Sequence, residues 1–219
     1  IRTHVFEQRN LAMSALVDAL DRNWDGHELL RETLVNKTPH YGNDDDRADE
    51  LAALTQRIFC DAVEARRDVQ GARYFVDLLP TTSHVALGEV TGATPDGRRA
   101  GTPLSEGVSA VQGHDRRGPT AAAASVAKLD HARTNGTLLN MRISPDCVRT
   151  LAALIRGYFD QGGHHVQFNI VDRQVLLDAM ARPEQHRDLM VRVAGYSDYF
   201  VLLPPEIQRE ILSRTEHGL

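Results

Sequence analysis

Only two cysteines occur in the 219 residues, Cys60 and Cys147, far apart and outside any CxxC or histidine spacing. Such sparse thiols exclude a disulfide framework and a structural zinc site, and they fit a reducing cytoplasm. A basic surplus is missing too. The 25 Lys and Arg stand against 30 Asp and Glu, for a net charge of -5, and they are scattered along the chain instead of gathered into a phosphate-neutralising patch. Nucleic acid is therefore not an expected partner. No apolar run approaches the roughly 20 residues that span a bilayer, and no basic segment followed by an apolar one opens the chain, so no membrane attachment is expected. Ile1 is not an initiator Met, which leaves the native start and any targeting signal open. What is present, 42% hydrophobic and 25% charged residues, is enough for a buried core in one large domain or two small ones.

From Asn10 to about Arg67 the apolar residues recur at three and four positions: Leu11, Ala15, Leu16, Ala19 and Leu20, then Leu29, Leu30 and Leu34, then Leu51, Leu54, Ile58 and Phe59. That spacing predicts helices broken at "DRNWDG" and "NKTPHYGNDDD". Asn43 to Asp46 suit the N-cap and first turn of the third helix. The three aspartates there resemble a cation site only superficially, since no calcium-loop Gly and Glu follow.

Between about Gly71 and Gly136 turn chemistry dominates. Gly88, Gly92, Gly97, Gly101, Gly107, Gly113 and Gly118 interrupt the stretch, yet Val90, Leu104, Val108 and Val111 are spaced through it. A flexible linker needs few such residues, so a packed loop is expected. "GATPDGRRAG" lacks the spacing and the Gly-Lys-Ser/Thr of a phosphate loop. Beyond Gly136 the period alternates. "GTLLNMRIS" reads as a strand, "PDCVRTLAALIRGYFDQGG" as a helix with Pro145 in its first turn, "HHVQFNIV" as a second strand, and "DRQVLLDAMARPEQHRDL" as a helix broken at Pro183. Strand, helix, strand, helix implies the α/β class with parallel pairing. His164 and His165, as strand neighbours, would point to opposite faces and could not share an ion. No G-x-S-x-G elbow orders a hydrolytic triad.

One stretch remains, "RVAGYSDYF", residues 192 to 200, followed at once by "VLLPPEIQREILSRTEHGL". With "PHYGNDDD", "GEVTGATPDGRRAGTPLSEGVS", "GPTAAAASVAKLDHARTNGTLLN" and "GGHHVQFNIVD" in the same order ahead of it, it resembles the glycyl radical enzymes, the family of pyruvate formate-lyase. "RVAGYS" with a closing "RTEH" is more similar to the branch of glycerol and diol dehydratases and choline lyase. The resemblance runs from about Trp24 to the last residue.

It implies that Gly195 stores a radical installed by a separate activating enzyme that uses S-adenosylmethionine and an iron–sulfur cluster, with no other cofactor or metal bound. Glycine suits that role physically, because a radical shared between the α-carbon and its two amide neighbours requires a flattened centre with no Cβ in the way. Arg192, Val193, Ala194, Tyr196 and Ser197 would shape the loop that enters the activating enzyme. Arg214 would support the active site or, equally, offset the C-terminus of the last helix. Thr81, Ser83 and His84 in "LPTTSHVALG" are candidates for a pocket wall.

In this family a cysteine, followed two positions later by Glu in the eliminases, relays the radical to the substrate. Cys60 precedes Asp61 and Ala62, and Cys147 precedes Val148 and Arg149, so neither matches. Cys60, in an amphipathic helix, reads as a buried structural thiol. The expected fold is thus the C-terminal part of a ten-stranded α/β barrel: a helical segment over 1–70, a half-barrel with a long Gly/Pro-rich loop over 71–190, and a glycyl radical domain over 191–219. Such a part would need its missing N-terminal half to be active and to cover its apolar face and strand edges, and the full-length enzyme would be a homodimer acting on a small molecule. Three functions follow from the resemblance: elimination of water or an amine, decarboxylation or C–C cleavage in another branch, or a free-standing spare-part radical module.

Overall fold

A computed structural model describes residues 1–217, with the side chains of all of these except Cys147 and Val148. The three-and-four periodicity becomes three helices, α1 (Met13–Asp21), α2 (Glu28–Lys37) and α3 (Asp46–Glu64). Helix α3 starts where the sequence places it. Asp45 is the N-cap and accepts from the Arg47 amide at 3.2 Å, while Asp46 and Asp49 bring negative charge to the first turn. The aspartates find their cation within the chain, because Lys128 Nζ lies 2.7 Å from Asp44, 2.7 Å from Asp46 and 2.8 Å from Asp49. Those contacts raise the Lys128 pKa against the desolvation that would lower it.

The chain divides into two compact units. The first comprises Ile1–Pro39 and Ser83–Leu104. Its core is Leu16, Ala19, Trp24 and Leu34, fully buried and contributed by α1, α2 and the turn between them. Helix α4 (Ser83–Glu89) leads into the Gly-rich loop. This loop is packed, as expected, but polar groups do most of the holding. Trp24 Nε1 donates to the Arg98 carbonyl at 3.1 Å and Arg31 Nε to the Gly97 carbonyl at 2.7 Å. The buried Arg98 guanidinium donates to the carbonyls of Gly92 and Thr102, the latter at 2.6 Å. Val90, in contrast, is 83% exposed and contributes nothing to that packing.

The second unit comprises His40–Thr82 and Ser105–Leu219. Its core joins Val108, Ala122, Ala123, Val126, Leu139, Met141, Ile143, Leu154 and Tyr158. Each buried Val, Leu, Ile or Met side chain there contributes roughly 1.5–3 kcal/mol. Helix α5 (Pro119–Ala127) supplies the small residues, and α6 (Val148–Asp160) packs against it. Helix α5 lies inside the stretch that reads as turn-dominated. Four consecutive alanines behind Pro119 at the first helical position, all strong local helix signals, outweigh the surrounding glycines.

Strands β1 (Val76–Leu78) and β2 (Thr134–Thr137) pair in parallel. Strand β3 (Leu139–Ile143) is the centre of a three-stranded parallel sheet, between β4 (Val166–Asn169) and β7 (Glu216–His217). Parallel pairing of β3 with β4 through the crossover helix α6 is the α/β arrangement the sequence implies. His164 and His165 precede β4 instead of lying on it. After α7 (Arg173–Ala181), strands β5 (Met190–Arg192) and β6 (Ser197–Tyr199) form an antiparallel hairpin, and α8 (Pro205–Ser213) follows.

Candidate active site

The β5–β6 hairpin turns through Val193, Ala194, Gly195 and Tyr196. Arg192 faces Ser197 across it, and the Val193 amide donates to the Tyr196 carbonyl at 2.9 Å. Gly195 has φ +85°, a left-handed conformation that glycine adopts without the penalty a Cβ would bring. No heavy atom lies within 4 Å of where a Cβ would stand, so the backbone conformation and not crowding selects glycine here. Val193 and Ala194 are buried, whereas Gly195, Tyr196 and Ser197 are exposed.

Both polar groups of the Gly195 residue are held. Its N–H donates to Gln167 Oε1 at 3.3 Å, and its carbonyl accepts from Arg192 Nη2 at 3.2 Å. The same Gln167 oxygen accepts from Arg192 Nε at 2.7 Å, and Arg192 Nη1 donates to Ser197 Oγ at 3.2 Å. Asn169 pairs with the Arg192 backbone like an extra strand residue, donating to its carbonyl and accepting from its N–H, both at 2.6 Å.

The Val193 carbonyl accepts from Asn140 Nδ2 at 3.2 Å and from Arg214 Nη2 at 2.9 Å. Arg214 is the C-cap of α8, one residue past the helix, and is buried. It makes an ion pair of 2.7 Å with Glu210 and reaches Glu106 at 3.9 Å. Burial would lower its pKa, but the two carboxylates outweigh burial and hold the guanidinium charged. Thus Arg214 supports the loop directly and is more than a counter-charge to its helix. A polar cavity of about 30 Å³ opens beside this cluster, lined by Glu106, Asp115, Arg142, Glu210, Arg214 and His217 among others, with room for a water.

The remaining candidates lie elsewhere. Thr81 is an exposed residue of the second unit with φ +58°, whereas Ser83 and His84, exposed and buried respectively, open α4 in the first unit. Neither unit alone brings the three together. Cys60 is 1% exposed on α3, and burial pushes its thiol pKa up, which suits a structural role. The Cys147 side chain lies outside the described part.

Two family models match in succession, "Pyruvate formate lyase-like" over residues 1–88 and "Glycine radical" over residues 104–201. Trans-4-hydroxy-L-proline dehydratase of Clostridioides difficile is 46% identical over 99% of this chain. The crystal structure of that enzyme with its substrate superposes with a TM-score of 0.96 over 100% of the chain. The B12-independent glycerol dehydratase of Clostridium butyricum superposes with a TM-score of 0.94 at 42% identity over 98% of the chain. The chain belongs to the glycyl radical enzymes. It spans 28% of the length of each of these relatives.

Membership in the glycyl radical family gives the hairpin its meaning, and the residues that hold it are mostly ones the sequence reading passed over: Glu106, Asn140, Gln167, Asn169 and Glu210. A signal for several of them was present. Strand β3 alternates Leu139, Met141 and Ile143, which enter the core, with Asn140 and Arg142. The β3–β4 register sets Asn140 beside Gln167 and Arg142 beside Asn169. Alternate residues share a sheet face, so two adjacent strands present one continuous polar face despite being buried. Buried polar groups require partners; the hairpin supplies them to Asn140, Gln167 and Asn169, and the end of α8 supplies them to Arg142.

Proposed function

We propose that this chain is the C-terminal, radical-bearing portion of a glycyl radical lyase that eliminates water, or another leaving group on the carbon beside a substrate radical, from a small hydroxylated or aminated molecule. Gly195 stores the radical. A separate activating enzyme, using S-adenosylmethionine and an iron–sulfur cluster, installs it by engaging Arg192, Val193, Ala194, Tyr196 and Ser197. The single observation that carries this reading is the Gly195 turn itself: a left-handed glycine, open at its α-carbon, with its N–H held by Gln167 of the buried polar face and its carbonyl by Arg192 of the same hairpin. Two relatives whose names specify dehydration support elimination over decarboxylation.

The cysteine that would act on the substrate, and its Glu partner, belong to an N-terminal portion of the longer enzyme, so the 219-residue chain alone turns over no substrate. Exposed apolar residues of the second unit favour such a covering portion. Ile58 and Phe59 are 59% and 51% exposed on α3, and Phe75 is 57% exposed beside β1. Thr81, Ser83 and His84 are proposed as pocket residues in that longer enzyme, which acts as a homodimer, and the division at residues 70 and 190 is proposed as its functional partition.

Anaerobic incubation with a reduced activating enzyme of the eliminase type and S-adenosylmethionine tests the reading. Electron paramagnetic resonance is expected to give a doublet that is absent from Gly195→Ala. Absence of a doublet from both this chain and the longer polypeptide containing it contradicts the proposal.

A further inference from the structure

The contacts around Gly195 carry a second consequence, which rests on the reading of Gly195 as the radical site. A radical at a peptide α-carbon is stabilised by donation from the amide nitrogen and withdrawal by the carbonyl. The contributing form places positive charge on nitrogen and negative charge on oxygen. An acceptor at the N–H and a cation at the carbonyl both favour that form, and charge-assisted hydrogen bonds are the stronger kind. The hairpin has both: the Gln167 oxygen at the Gly195 amide and the Arg192 guanidinium at the Gly195 carbonyl.

We propose that Gln167 and Arg192 form an electronic brace that spreads the unpaired spin of Gly195 over its peptide groups, with Gln167 as the positioning residue that sets both ends. Gln167 does so because its one oxygen takes Arg192 Nε at 2.7 Å and the Gly195 amide at 3.3 Å together. Its own orientation is fixed from behind. Gln167 is 8% exposed on β4, and its Nε2 faces His165 Nε2 at 3.4 Å, a contact that needs an unprotonated ring nitrogen. Burial, and then the neighbouring Arg192 and His164, lower the His165 pKa and favour the neutral ring, whose Nδ1–H tautomer leaves Nε2 to accept. Asn169 fixes the other end by holding the Arg192 backbone through two bonds of 2.6 Å. The amide oxygen of Gln167 is thereby left to face the glycine.

The test uses the activated protein labelled with ¹⁵N-glycine, comparing wild type, Gln167→Leu and Gln167→Glu by electron paramagnetic resonance. In Gln167→Leu, spin retreats to the α-carbon, so the α-hydrogen splitting widens, the ¹⁵N coupling shrinks, and the radical decays roughly tenfold faster, about the worth of one hydrogen bond. Gln167→Glu keeps an acceptor in place and restores the wild-type couplings. A doublet in Glu with none in Leu also supports the brace, because Glu retains at this position the acceptor that Leu lacks. Unchanged couplings and lifetime in Leu, or equal failure of Leu and Glu, overturn it. A wild-type protein without any doublet overturns the assignment of Gly195 instead, so the two failures are told apart.

Discussion

Two turns in this molecule, one glycine-rich and one with a single glycine, are held by arginines that donate to backbone carbonyls, and they draw on the rest of the chain to different degrees. In the loop of the first unit, the Arg98 guanidinium reaches Gly92, Arg99 and Thr102, all within a few residues of itself. In the second unit, the hairpin at Gly195 is held by Asn140, Gln167, Asn169 and Arg214, which come from β3, β4 and the end of α8. The first turn is folded around its own arginine and then anchored by Asn23, Trp24 and Arg31 at and after the α1–α2 turn. The second exists only when the sheet and the last helix have formed around it. A stored radical benefits from the second plan, since its surroundings are then fixed by packed elements and not by a loop free to rearrange.

The largest effect expected from breaking the contrast is at Arg214. Arg214→Ala leaves Glu210 and Glu106 buried without their cation and should cost about 3–5 kcal/mol, read as a shift in denaturant midpoint. A cost below about 1 kcal/mol would mean that the hairpin is as self-sufficient as the Arg98 loop. Next comes Arg98→Ala. It removes several carbonyl contacts inside one loop and should cost about 2–3 kcal/mol. Because those contacts are local, limited proteolysis is expected to cut first between residues 91 and 102, with the Gly195 hairpin left protected. Cutting at the hairpin first would erase the distinction.

The smallest effect is a pH dependence. His131 Nδ1 lies 2.9 Å from Thr137 Oγ1 and its Nε2 lies 2.9 Å from the Val126 carbonyl, an arrangement for a neutral ring that donates at Nε2. Burial lowers its pKa, as it does that of His165. The folded-state pKa therefore lies below the unfolded value of about 6.5, so stability is full above that pH and is lost as pH falls through the folded pKa. Thermal unfolding should show a lower Tm at about pH 5 than at about pH 7.5, by an amount reduced in His131→Gln. An unchanged difference in His131→Gln would assign the dependence to other groups.

The same contrast explains what the sequence disclosed. Helices α1 to α3 follow local rules of period and capping, and both their apolar spacing and the Asp45 cap are readable. The parallel β3–β4 unit is readable for the same reason, through alternation flanking a helical stretch. Gly195 stands out because its neighbours carry a recognisable pattern. Its support does not, because Asn140 and Gln167 become neighbours only through a strand register, and Arg214 reaches Val193 only after α8 has packed. Helix α5 was hidden for a different reason, since glycines on either side of its alanine run mask a strong local preference. The pocket candidates Thr81, Ser83 and His84 fall in different units, a partition that no local pattern marks.

The central claim is that Gly195, held by the polar face of β3 and β4, is where the unpaired electron resides. The most direct measurement replaces the glycines with glycine deuterated at the α-carbon and records the electron paramagnetic resonance spectrum of the activated protein. If the spin sits on Gly195, its doublet arises from that one α-hydrogen and collapses towards a single line on deuteration. A doublet that persists unchanged in the deuterated protein would place the radical on another residue and contradict the account.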